Sequence, residues 1–201
     1  MMHTIIVPGV GGSEHDHWQS WLQRQLMSCS RVQQQDWHQP ILKKWVAQWL
    51  KTVQQVHAPI QVVAHSFGCL TSVAALDQYP EVCKKVKKLI LVAPANPARF
   101  TDIGFSINDM NNYQAYFHQI KLKVATDLLI SENDPWLSFE DAKKLAHAWQ
   151  VRPRNLGQVG HINVASGFGP FPEIYDHLIP ETTAPQRVYS DESEGFFKFA
   201  I

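Results

Sequence analysis

The pentapeptide Ala64-His65-Ser66-Phe67-Gly68 combines residue types and spacing that could carry out covalent chemistry. The apolar run Ile60–Ala64 precedes it, and Leu70, Val73, Ala74 and Ala75 follow at helical spacing. The serine therefore falls where a strand turns directly into a helix. A turn of the pattern G-x-S-x-G needs small residues flanking the serine, because strand and helix approach closely there, and it lifts the hydroxyl above the sheet. Alanine takes the first glycine position here and Gly68 keeps the second. A helix N-terminus aimed at the same spot favours negative charge developing beside the hydroxyl. The plainer role open to Ser66 is that of a helix N-cap.

A serine is a weak nucleophile without a base and a group to orient that base. Proteins that carry serine at such a turn place the acid next in the chain and the histidine last. In open parallel sheets, ligands collect beyond the carboxyl ends of the strands. Asp134 meets both conditions, since Ser131-Glu132-Asn133-Asp134-Pro135 follows the apolar run Leu128–Ser131. Glu132 is its nearest rival, Asp127 lies at the other end of that run, and a turn residue before proline is the bland alternative for Asp134. His161, in Val159-Gly160-His161-Ile162-Asn163, is the expected base. His65 adjoins Ser66 too closely to reach round to its hydroxyl, His3 starts the first strand, and His147 sits within a helix. Backbone N–H groups of Phe67 and of Val10, in Pro8-Gly9-Val10-Gly11-Gly12-Ser13, would form an oxyanion hole.

These groups need a scaffold. Thr4–Val7, Ile60–Ala64, Val86–Val92 and Leu128–Ser131 read as buried strands, with weaker strands over Arg31–Gln34 and Arg154–Leu156. Helical stripes run through Trp18, Trp21, Leu22 and Leu26, capped by Asp16 or Ser13, and through Leu42, Trp45, Val46, Trp49 and Val53 after Pro40. A third stripe comprises Ala142, Leu145, Ala146 and Trp149 behind a Ser138–Asp141 capping pattern, and Phe171–Leu178 would form a last short helix. Strands alternating with helices predict an α/β fold with a mainly parallel central sheet flanked by helices on both faces. One domain over 1–179 is expected, with 94–121 as a small cap or lid and 180–201 as a polar tail.

Several function classes are excluded on composition. The chain has 201 residues, 45% of them hydrophobic, and 18 Lys+Arg balance 18 Asp+Glu. An even balance gives no electrostatic footprint for nucleic acid or an anionic membrane. The run Lys84-Lys85-Val86-Lys87-Lys88 reads as a solvated strand approach. Gly9-Val10-Gly11 lacks the third glycine of a dinucleotide loop, and no Gly-Lys-Ser/Thr occurs. His15-Asp16-His17 has no matching ligand set elsewhere, so no metal is expected. Cys29, Cys69 and Cys83 form no CxxC, and the N-terminus has no basic region before its short apolar run. A cytoplasmic location is the expectation.

Taken together, Val7–Ser13 with His17-Trp18, Ala64–Gly68, Leu91–Ala95, Asn133-Asp134-Pro135, and Gly160–Asn163 with Ser166-Gly167 resemble the small serine hydrolases of the α/β-hydrolase superfamily, of the retinoblastoma-binding protein 9 type. The resemblance spans most of Thr4–Leu178, in order. It implies a minimal hydrolase sheet, a Ser66–Asp134–His161 triad and no cofactor. The expected activity is cleavage of a small carboxylic ester through an acyl-enzyme, with a small-molecule acyl substrate as partner. The alternatives are an amide or thioester as the cleaved bond, or a non-catalytic interaction module whose protein partner is unknown. Phe67, Phe100, Trp136 and Phe168 are the expected pocket aromatics, drawn in part from the aromatic-rich stretch Phe100–Phe117.

Overall fold

The computed structural model describes residues 1–107 and 110–181. Residues 182–201, most of the expected tail, lie outside the described residues, as do 108 and 109 within the stretch 94–121. In chain order the elements are β1 (His3–Val7), α1 (Trp18–Gln25), β2 (Cys29–Arg31), α2 (Leu42–Gln55), β3 (Ile60–Ser66), α3 (Phe67–Gln78) and β4 (Val86–Pro94). A two-stranded hairpin follows, β5 (Phe100–Thr101) and β6 (Gly104–Phe105), then α4 (Gln114–Phe117), β7 (Thr126–Ile130), α5 (Phe139–Trp149) and β8 (Pro153–Asn155). The central sheet has six strands in the order β2-β1-β3-β4-β7-β8, and every neighbouring pair is parallel.

Residue alternation distributes the core between two faces, because successive side chains of a strand point opposite ways. Ile5, Val62, Ala64, Leu89, Leu91, Leu128 and Ile130 pack with α2, α3 and α5. Val63, Ile90, Val92 and Leu129 turn the other way, onto Trp18 and Leu22 of α1 and onto Phe171 and Ile174. Strands covered on both sides read as continuous apolar runs, which is why they are legible without alternation. α3 is buried over Phe67–Leu76 on every side, as expected for a helix without a polar face.

The boundaries differ from the sequence expectations for physical reasons. The second strand is Cys29–Arg31 rather than Arg31–Gln34, since Thr4 to Ile6 of β1 provide its pairing partners. His17 caps α1, its Nδ1 accepting from Gln19 N–H, in place of Asp16 or Ser13. α3 begins at Phe67, not Leu70. The last strand is Pro153–Asn155, and the final helix is a 3₁₀ segment over Pro172–His177.

One buried side chain ties the top of the sheet together. Gln19 Nε2 donates to the carbonyls of Val7 and Val63, each at 3.1 Å, while Ser13 Oγ donates to Gln19 Oε1 at 2.7 Å. Ser13, in the loop after β1, is thereby tied through Gln19 to the end of β1 and the middle of β3.

Gly68 reports how close that approach is. A Cβ there would lie 2.4 Å from the Val7 carbonyl oxygen and 2.6 Å from that of Pro8. Gly→Ala ordinarily favours a helix by up to about 1 kcal/mol. Here steric overlap with fixed backbone wins, and Gly68→Ala should destabilise the fold by about 2–3 kcal/mol, read as a lowered urea midpoint.

Candidate active site

Ser66 ends β3 and opens α3 with φ 54° and ψ −123°, a conformation costly for any residue with a Cβ. Its hydroxyl makes no capping bond to the helix. It lies instead 2.9 Å from His161 Nε2. Gly9 allows this placement, because a Cβ at position 9 would come within 2.7 Å of Ser66 Cβ and 3.3 Å of Oγ.

His161 Nδ1 is 2.7 Å from Asp134 Oδ2. A carboxylate can only accept there, so Nδ1 carries the hydrogen and Nε2 is left to accept from Ser66 O–H. Asp134 Oδ1 accepts from Trp136 N–H at 2.9 Å, which sets the carboxylate plane. The loops that carry the acid and the imidazole are tied to each other. Gly160 N–H donates to Asn133 Oδ1 at 2.7 Å, and Val159 N–H donates to Ser131 Oγ at 3.1 Å. The histidine backbone is anchored from below, with Trp18 Nε1–H donating to Ile162 O at 2.8 Å and His65 Nε2–H to His161 O at 2.9 Å.

A cavity of about 320 Å³ opens over Ser66 and His161. Val10, His17, Arg99, Phe100, Phe105 and Trp136 line it. Phe67, as first residue of α3, has no intrahelical acceptor for its N–H. Larger grooves of about 1020 Å³ along α4 and α5 and about 860 Å³ beside β7 and β8 contain none of Ser66, His161 or Asp134.

The structure thus brings Ser66, His161 and Asp134 together, with Val10, Phe100 and Trp136 around them. It does not bring in Phe168, whose ring packs edge-on against Phe171, 5.1 Å away, in the apolar cluster around Trp18 on the other face of the sheet. The Phe67 ring is also core, between Trp45 and Phe100 at 5.1 and 4.4 Å. Glu132 accepts from Asn155 Nδ2, and Asp127 pairs with Lys88 and His177. His3 bonds to Ser28 and Ser30. Arg99, Asn163 and the lining role of His17 escaped the sequence reading. Arg99 lies in an aperiodic stretch, so no pattern marks the direction of its side chain.

A family model described as serine hydrolase matches residues 4–179. The chain belongs to the serine hydrolase family. This hydrolase is similar to YdeN of Bacillus subtilis (strain 168), at 26% identity over 181 residues, covering 87% of this chain and 93% of that one. The crystal structure of a YdeN-like hydrolase from Pectobacterium atrosepticum superposes with a TM-score of 0.73 at 31% identity, over 88% of this chain and 90% of that one. The crystal structure of the B. subtilis ydeN gene product gives a TM-score of 0.66 at 20% identity, over 88% and 96% of the two chains. The mostly parallel sheet between helical layers is the α/β-hydrolase fold. No helix among the described residues is long and apolar enough to cross a membrane.

Two further histidines underlie the hydrolase site. His65 lies between His17 and His161, its ring tilted against both with centroids 4.9 Å from each. Burial, with Arg31 and His161 nearby, pulls His17 down to about 4. Burial pulls His65 well below the ordinary histidine value, with His161 and His17 adding to it. Both are neutral in the fold at neutral pH, whereas in the unfolded chain they titrate near about 6.5. The unfolded state binds more protons below that value, so this stability is complete above about pH 6.5 and is lost as pH falls toward 4. Urea melts from about pH 7.5 to about pH 4.5 should show a loss of about 2–3 kcal/mol from His17 alone, which His17→Asn removes.

Proposed function

We propose that this hydrolase cleaves a small carboxylic ester through a covalent acyl-serine, placing it in the carboxylesterase class. Ser66 Oγ forms a bond to the carbonyl carbon while its proton passes to His161 Nε2. Asp134 holds the imidazole and stabilises the imidazolium that results. The carbonyl oxygen becomes an oxyanion, received by the N–H groups of Phe67, at the head of α3, and of Val10, in the loop after β1. The tetrahedral species collapses, the carbon–oxygen bond to the alcohol breaks, and His161 returns its proton to the departing oxygen. Water, deprotonated by His161, then attacks the acyl carbon and releases the acid and Ser66.

The observation that carries this reading is the unbroken hydrogen-bonded chain Ser66–His161–Asp134, at 2.9 and 2.7 Å, at the floor of a cavity. The shared motifs support placement with the retinoblastoma-binding protein 9 type. Free thiols at Cys29, Cys69 and Cys83 support a cytoplasmic setting. A cavity of about 320 Å³ lies at the small end of ligand sites, which favours short acyl or aryl groups.

The test is labelling by a fluorophosphonate probe, mapped by peptide mass, alongside hydrolysis of aryl acetates. Stoichiometric modification of Ser66 is expected, absent in Ser66→Ala and strongly slowed in His161→Ala. Ser66→Ala and Asp134→Asn should each reduce kcat by about 10⁴-fold or more. Retention of full esterase activity by Ser66→Ala would refute the assignment.

A further inference from the structure

The cavity over Ser66 contains a cation with no anionic partner among the described residues. Arg99 is half-buried and lines the cavity wall, and its guanidinium carbon sits 4.4 Å from the centroid of the Trp136 ring. Among the described residues no carboxylate pairs with it. The neighbouring acids are engaged elsewhere, Asp134 by His161 and Trp136 N–H, and Asp102 by Tyr113 O–H. A guanidinium over an indole is attracted by the ring face while its five N–H donors remain available to other acceptors. Among the described residues its side chain makes no hydrogen bond, so those donors face no fixed acceptor there. Phe100 and Phe105, 5.3 Å apart, supply an apolar wall beside it.

From this juxtaposition we infer that the hydrolase selects esters bearing a carboxylate a short apolar or aromatic span from the scissile bond, with Arg99 as the specificity-determining residue. The inference rests on the ester-hydrolase reading of Ser66. A cavity of about 320 Å³ is about 8–9 Å across if round, so a small substrate seated at Ser66 spans most of the distance to its walls. A carboxylate matches the guanidinium fork through two parallel N–H···O bonds. The whole chain carries no net charge, so its overall field gives anions no general advantage, and the selectivity originates locally. The neutral state of His17 and His65 leaves Arg99 as the permanent positive charge on the described lining.

Two matched ester pairs test this by steady-state kinetics. In para-acetoxybenzoate against para-acetoxybenzamide the charge is in the leaving group. In monoethyl adipate against ethyl hexanoate it is in the acyl group. The expected result is higher kcat/KM for the anionic member of at least one pair. Arg99→Met should reduce that value by about 10–100-fold, the range for hydrogen bonds to a charged group, and leave the neutral member within about threefold. Arg99→Lys, which keeps charge but loses the fork, should fall between. Equal kcat/KM within both pairs, or an equal loss for both members in Arg99→Met, would overturn the inference while leaving esterase activity and Ser66 labelling intact. Binding of the same esters to Ser66→Ala, by calorimetry, separates the two readings. Anion preference there, abolished by adding Arg99→Met, upholds the inference even if no ester is turned over, and its absence overturns it.

Discussion

The backbone at Ser66 can take its sharp turn only because no side chain occupies the space on either side of it. Gly9 lies against the serine Cβ, and Gly68 lies against the carbonyls that end β1. Any Cβ at those positions would push the helix off the strand or the loop off the serine. The remaining geometry follows from that contact. α3 starts within the site and not beyond it, its first N–H groups lack helical acceptors, and the loop carrying Val10 stays beside the hydroxyl. The unfavourable φ of Ser66 persists because β3, α3 and the loop after β1 over-determine it.

The imidazole needs a comparable constraint from the other side, and buried polar groups supply it. Trp18 and His65 each donate to carbonyls of the His161–Ile162 segment, and Gln19 joins the end of β1 to the middle of β3. Every one of these donors comes from α1 or β3, so the face of the sheet opposite α3 positions the histidine. A hydrogen-bonded network of this kind is rigid, and its cost appears in acid, where the neutral His65 resists protonation.

A second acid–histidine pair shows that residue types alone do not define the site. His177 Nδ1 is 2.7 Å from Asp127 Oδ2, the same separation as His161 from Asp134. Its other nitrogen faces Arg154 Nη1 at 3.0 Å, and Lys88 is also bound to Asp127. An imidazole between a carboxylate and a guanidinium has no hydroxyl to activate. This pair lies at the opposite end of β7, where it ties the 3₁₀ segment to the sheet edge. Sheet direction alone separates a pair that can accept a proton from serine from one that serves as a clasp.

The sequence by itself determined the parallel α/β architecture, the strand-to-helix turn at Ser66, and the order in which Ser66, Asp134 and His161 appear. Those features are written locally, in apolar runs, small residues around a serine, and polar loops after strands. Tertiary structure alone decided the distances of 2.9 and 2.7 Å that join the three groups, because they bring together residues 95 and 27 positions apart in the chain. It also sent Phe168 to the far face, put Phe67 into the core, made His17 the cap of α1, and turned Arg99 onto Trp136. A side chain in an aperiodic loop has no pattern to fix its direction. Its surroundings come from distant segments, and the sequence becomes informative about them only once the sheet has brought them together.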